Sequence, residues 1–164
     1  MSVNRYKDHV YVIPEDDADR QIINGFLTHD AVALRPIEVR GPAGGWPRVQ
    51  STFVEEYVPL LRKWPRTHVI MVIDFDEDVG RRSLFDEAIP EDLRHRVFLI
   101  GSASTPEKLR SALGKSFEEI GRQVAEDCLR EVPDPIWLHD LLKDNEAEFQ
   151  RLGQTVRPIV LPGR

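Results

Sequence analysis

The sequence predicts an α/β domain with a mainly parallel central sheet of about four strands flanked by helices and a helical C-terminal extension. Three observations predict it. Val69-Ile70-Met71-Val72-Ile73 is a continuous β-rich apolar run without polar alternation, which suits a central strand buried on both faces of a parallel sheet. Val97-Phe98-Leu99-Ile100 repeats that plan. Segments with apolar residues at helical spacing alternate with these runs, as in a doubly wound or related sheet.

Taken in order, residues 9–13 form a short apolar strand followed by the acidic turn Pro14-Glu15-Asp16-Asp17. Residues 17–28 carry Ile22, Ile23, Phe26 and Leu27 at helical spacing, with Asp17 placed to cap the start. Residues 31–39 read as a second strand, ending in the loop Gly41-Pro42-Ala43-Gly44-Gly45, which can bring backbone close to another group. Residues 49–63 read as a second helix closed by Trp64-Pro65. The strand at 68–73 stops at Asp74-Phe75-Asp76-Glu77-Asp78, and the strand at 96–100 stops at Gly101-Ser102-Ala103-Ser104. Residues 104–113, 116–129 and 135–152 read as helices, the first opened by Thr105 as cap and Pro106 at the first position. Residues 156–161 read as a final strand. No repeat, low-complexity segment or linker divides the chain, so residues 1–164 form one domain, with a core at about 9–113 and an extension at about 114–164.

A chain of 164 residues is long enough to bury a core without staples, and its single cysteine, Cys128, allows no internal disulfide. No stretch approaches the roughly 18 consecutive apolar residues of a membrane span, and the N-terminus lacks the apolar core of a signal peptide. The expectation is a cytoplasmic protein with no membrane partner. The net charge of −6, from 28 acidic and 22 basic residues, gives no general basic excess for gripping nucleic acid. Basic clusters are local: Arg62-Lys63 with Arg66, Arg81-Arg82, and Arg94-His95-Arg96.

In parallel α/β sheets, ligands bind outside the carboxyl ends of the strands. Three such positions here are acidic or polar: residues 15–19, 74–78 and 102–107. Asp74 directly follows five apolar strand residues, and Asp76 lies two residues on, a spacing that can place both side chains on one side of an extended segment. Glu15 from another strand end brings a third carboxylate. Hard oxygen ligands of this kind select magnesium or manganese over zinc, and without a cation their mutual repulsion raises their pKa values. Asp16, Asp17 and Asp78 read as solvated turn and capping residues.

The order of these features carries a resemblance. Glu15 is followed four residues later by Asp19; the glycine loop 41–45 follows the second strand; Asp74-Phe75-Asp76 follows a central strand, with Gly80 and Arg81 next; and Ser104-Thr105-Pro106-Glu107-Lys108-Leu109 follows the fourth strand. In this order they resemble the TOPRIM domain of topoisomerases, bacterial primases, small ribonuclease-type processing enzymes and overcoming-lysogenization-defect nucleases, with the last branch the most similar. The family's E-G-x-x-D has a glycine where this chain has Asp16. The resemblance covers about residues 9–113. It implies a one- or two-metal phosphoryl-transfer site on DNA or RNA. Asp74 and Asp76 would bind Mg2+ (or Mn2+), with Asp19 or Glu107 completing a second position. Glu15 would be a ligand or the general acid/base, and Arg81, Arg82 or Lys108 would contact phosphate. By the same analogy the chain would be a nuclease, or the nuclease subunit of a larger assembly, in bacterial defence or nucleic-acid processing. The acidic balance points to a partner protein or a homo-oligomer.

Two alternatives stand beside it. One is a TOPRIM-shaped interaction module without catalysis that binds a partner through its C-terminal third. The other is a receiver-like phosphorylation switch, with an acidic pair after strand one, Asp74 after strand three and Ser102 or Ser104 as the hydroxyl; it has no counterpart for the fifth-strand lysine. Gly114-Lys115-Ser116 lacks the rest of a phosphate loop and reads as a helix cap on Ser116. His139-Asp140 reads as a surface or packing pair, Cys128 as a small buried hydrophobe, and Trp46 as packing over a helix or stacking on a base.

Overall fold

The structure, a computed structural model, describes residues 2–130 and 132–163. Four strands, β1 (His9–Pro14), β2 (Ile37–Val39), β3 (Thr67–Val72) and β4 (Val97–Ile100), form one sheet in the order β2-β1-β3-β4. Every pairing is parallel, with Val12 opposite Ile70 and Ile70 opposite Phe98. The α/β class with helices on both faces is therefore as the apolar runs predict.

Period-two alternation explains why those runs are apolar throughout. Tyr11, Ile13, Val69, Met71, Ile73, Val97 and Leu99 face one layer, built from α2 (Trp46–Thr52), α3 (Val58–Lys63) and α4 (Arg81–Ala88), with Phe53, Leu61 and Phe85 fully buried. Val10, Val12, Ile70, Val72, Phe98 and Ile100 face the other layer. That layer holds α1 (Asp17–Leu27), α6 (Phe117–Leu129), α7 (Glu146–Thr155) and α8 (Arg157–Val160), while α5 (Pro106–Leu113) packs beside α1 and α6. The helices α1 and α6 cross closely because Gly25 and Gly121 let their backbones meet: an ideal Cβ on Gly121 would lie 1.8 Å from the Ile22 carbonyl oxygen.

The element boundaries differ from expectation in ways that local chemistry explains. The second strand shortens to Ile37–Val39 because Pro36 offers no N–H to the ladder and residues 28–36 are taken up by turns. Between α2 and α3 the helix widens into one π turn at Phe53–Tyr57, just ahead of Pro59, which cannot donate to the carbonyl four residues back. The helix α4 and a 3-10 segment at Glu91–Arg96 were not expected, since only Phe85 and Leu93 in them are buried. Residues 135–152 break into 3-10 turns at Ile136–Leu138 and Lys143–Asn145 before α7 begins. The segment expected as a final strand is instead the short helix α8, with Pro158 in its first turn. Thr105 and Ser116 cap α5 and α6 as expected, the latter in a full capping box with Glu119.

The C-terminal extension closes the sheet edge. The outer backbone groups of β4 are met by side chains in place of a fifth strand. Leu99 N–H donates to Glu148 at 2.8 Å, and Arg151 donates to the Val97 carbonyl at 3.2 Å. Asn145 both accepts from Gly101 N–H at 3.0 Å and donates to the Gly101 carbonyl at 2.7 Å. From the other layer, Arg82 donates to the Leu99 carbonyl at 3.1 Å. Among the described residues no helix is long and apolar enough to cross a membrane.

Candidate metal centre

The strand order reverses between β1 and β3: β2 lies beyond one and β4 beyond the other. Such a switch point opens a crevice at the carboxyl ends of the strands. Glu15 follows β1 there and Asp74 follows β3 by two residues. Parallel pairing carries past the strand ends, with Glu15 N–H on the Val72 carbonyl at 2.9 Å and Ile73 N–H on the Ile100 carbonyl at 3.0 Å, so both carboxylates sit on rigid backbone.

The glycine loop reaches the same place. Ala43 N–H donates to the Pro14 carbonyl at 3.0 Å, and Gly44 N–H to the Glu15 carbonyl at 2.9 Å. Gly44 and Gly45 hold φ of 93° and 128°, a region that side chains other than glycine's resist. The expected close approach of this loop is thus an approach to Glu15. On the other side, Asp16 and not Asp17 caps α1, its carboxylate accepting Asp19 N–H at 3.0 Å. Asp16 has φ −141°, an extended conformation open to any residue, so the glycine of the family pattern is not required at this position. The cap holds Asp19 in the first turn of α1, on the same helical face as Ile22, Ile23 and Phe26.

Glu15, Asp19 and Asp74 each place a carboxylate oxygen within 4.8 Å of the other two, a group able to hold a metal ion. Asp19 is 2% exposed and Asp74 9% exposed, while Glu15 is half-buried. Glu15 Oε2 accepts Asp74 N–H at 2.6 Å, which ties the two strand ends together. Asp19 Oδ2 and Asp74 Oδ1 are buried and accept no hydrogen bond from the described residues. Two full negative charges at 4.8 Å repel by about 3 kcal/mol at an effective dielectric near 20. The cluster therefore needs protons or a cation. Burial first, and the Asp74 and Asp16 charges next, push the Asp19 pKa far up. Burial, then Asp16 and Glu15, push Asp74 up, and burial raises Glu15 against the lowering effect of the Asp74 N–H. A cation of hard character fits what the residues offer: carboxylate oxygens, two of them desolvated and without donors.

The other expected site residues fall around this group. Asp76 is exposed and outside it, because the chain turns sharply there: Asp76 and Glu77 adopt φ of 49° and 60°. The N–H groups of Phe75, Asp76 and Glu77 dock on the carbonyls of Ser102, Ser104 and Ala103, so extended spacing ends at Phe75. Glu107 lies exposed in the first turn of α5, also outside the group. Lys108 pairs with Glu77 at 3.6 Å, and Arg82 stacks over Phe75, 4.6 Å from the ring centre, while serving the β4 edge. Arg81 is different. Its Nη1 donates to the Asp74 carbonyl at 2.6 Å, its guanidinium lies 5.0 Å from the centre of the Trp46 ring, and its buried Nε has no partner among the described residues.

Trp46 packs on Phe85 as well as on Arg81, so it is a structural wall of the site. Two of the local basic clusters are spent internally: Arg62 pairs with Asp92, and Arg96 donates to the carbonyls of Leu61, Trp64 and Thr67. Asp16 reads from the sequence only as a solvated turn residue; the Asp16-x-x-Asp19 spacing, a helix cap three residues before a carboxylate, was the available signal for its place beside the site. Comparison with protein-family models, with curated proteins and with solved structures returned no match.

Proposed function

We propose that the chain is a magnesium-dependent (or manganese-dependent) phosphodiesterase acting on nucleic acid, TOPRIM-like in its site, as a small nuclease or the nuclease subunit of a larger assembly. One observation carries this: three carboxylate oxygens from two adjacent strand ends and a helix start converge within 4.8 Å at the switch point.

In this account Asp19 and Asp74 hold the ion through their unpartnered oxygens, and Glu15 completes the set. Bound there, a divalent ion supplies charge neutralisation at phosphate and a water of lowered pKa. Glu15, the most accessible of the three and anchored at Oε2 by Asp74 N–H, moves the proton of the attacking water. Arg81, held by Trp46 and the Asp74 carbonyl, brings the positive charge of its half-buried guanidinium to the phosphate. Asp76 and Glu107 are left for a second ion brought in with substrate. Since the arginines of two basic clusters are taken up by internal pairing, a partner protein or a second copy supplies much of the grip on DNA or RNA.

The test is cleavage of single- and double-stranded DNA and RNA with Mg2+ or Mn2+. Activity should need the cation and fall at least a hundredfold in Glu15→Gln and Asp74→Asn, with circular dichroism unchanged. Equal cleavage by all three proteins would assign the activity to a contaminant and remove the proposal.

A further inference from the structure

The amino ends of β1 and β3 lie at the opposite pole of the sheet from the metal centre, about 20 Å away along the six residues of β1 at about 3.3 Å each. Two short segments meet there, residues 5–7 ahead of β1 and residues 62–66 ahead of β3, joined by the His9 N–H on the Arg66 carbonyl at 3.2 Å. They hold five cations and no acidic residue, in a chain whose net charge is −6. Arg62 is paired with Asp92, and Arg66 meets Asp8 at 3.5 Å with both side chains more than half exposed. Arg5, Lys7 and Lys63 are exposed and form no ion pair among the described residues.

The aromatic residues of the same segments build one platform. Trp64 is half-buried, with the Arg5 guanidinium and the Lys63 ammonium each 5.5 Å from the centre of its ring. Tyr6 stands edge-on to it, with ring centres 5.4 Å apart, and is 79% exposed. The turn that carries the tyrosine is held in place. Asn4 accepts Tyr6 N–H at its Oδ1, at 3.0 Å, and Lys7 N–H at its carbonyl, at 3.1 Å, while Val3 before it is buried in the core. An exposed ring fixed among unpaired cations offers what a single strand of nucleic acid needs: a π-face for a base and positive charge for the phosphates around it. A duplex has no free base face for such a ring. A bilayer finds too little to enter, since Tyr6 is the one exposed large apolar side chain of the two segments.

We propose that this pole is a binding surface for single-stranded nucleic acid, with a base stacked on Tyr6 and the flanking phosphates on Arg5, Lys7 and Lys63. The class of ligand rests on the nuclease reading above. The surface holds the strand and takes no part in the chemistry, which lies at the other end of β1. It is the share of the grip that the chain itself brings, beside that of a partner or second copy.

Fluorescence anisotropy with labelled oligothymidylate and oligouridylate of about 12 nucleotides, at low salt and with a chelator present, tests this. At least one strand should bind saturably. The logarithm of its affinity should fall against that of the salt concentration with a slope of about −2, for three phosphates at roughly 0.7 each. Tyr6→Ala should weaken binding at least fivefold with the slope unchanged, and Tyr6→Phe should keep the wild-type affinity. Arg5→Gln combined with Lys63→Gln should cut the slope by about 1.4. These side chains are exposed, so circular dichroism should be unchanged in every variant. Asp74→Asn should bind as the wild type does, which separates this surface from the metal centre. A protein that cleaves but is indifferent to Tyr6→Ala refutes this surface alone; one that binds through Tyr6 but does not cleave supports it and refutes the nuclease reading alone. No saturable binding of either strand, equal binding of a duplex of the same length, or tighter binding to phosphatidylserine vesicles than to either strand would each overturn the proposal.

Discussion

Asp19→Asn isolates the central electrostatic conflict of the fold. Burial and neighbouring carboxylates push the Asp19 pKa from 3.8 up to about 11. A pKa raised on folding gives stability that is fully present below the unfolded value and lost as pH rises toward the folded one. The metal-free protein at pH 7 therefore folds only by keeping a proton on Asp19 that the unfolded chain has released. The roughly 3 pH units between 3.8 and 7, at about 1.4 kcal/mol each, set a ceiling of about 4 kcal/mol on that cost. Asparagine has the shape of the protonated acid and carries no such cost. Without cations, Asp19→Asn should raise the melting temperature by up to about 8–15 °C at pH 7 for a chain of this size, and by almost nothing at pH 4. With millimolar Mn2+ the order should reverse, because only the wild type gains from the ion. Thermal denaturation at both pH values, with chelator and with Mn2+, gives all four numbers. A variant that is less stable than wild type at pH 7 in chelator, or a difference that does not change with pH, refutes the reasoning.

Two further substitutions test the scaffold. Gly121→Ala should force α1 from α6, since its Cβ would meet the Ile22 carbonyl oxygen at 1.8 Å; a loss of at least about 2 kcal/mol in denaturant unfolding is expected, at the upper end of ordinary overpacking. Asn145→Ala strands the N–H and carbonyl of Gly101 and the carbonyl of Leu142, and should cost about 2–4 kcal/mol in the same assay.

The sheet was legible because β3 and β4 are apolar on both faces, a pattern that only a covered parallel strand requires. Asp74 was legible for the same reason: a carboxylate directly after such a run must sit at the sheet's end. Asp76 was not, because its position depends on two consecutive left-handed residues and on carbonyls of the 102–104 loop, which lie about 28 residues away. The helix α4 escaped notice since one buried Phe85 leaves no periodicity to detect. The role of the C-terminal extension was equally hidden. Asn145, Glu148 and Arg151 read as surface polar residues, and only the β4 edge gives them a purpose. Of the expected metal set, Asp74 and Asp19 lie with Glu15 in one group able to hold a metal ion, whereas Asp76 and Glu107, also expected as ligands, lie outside it.

Direct titration of Mn2+ into the chelator-treated protein, followed by calorimetry at pH 7.5 and repeated with Asp19→Asn and Asp74→Asn, tests the convergence of the three carboxylates most simply. The account predicts saturable binding with proton release on the wild type, as buried carboxylates give up protons to the ion, and at least tenfold weaker binding in both variants. No saturable binding to the wild type, or equal binding in all three proteins, would contradict it.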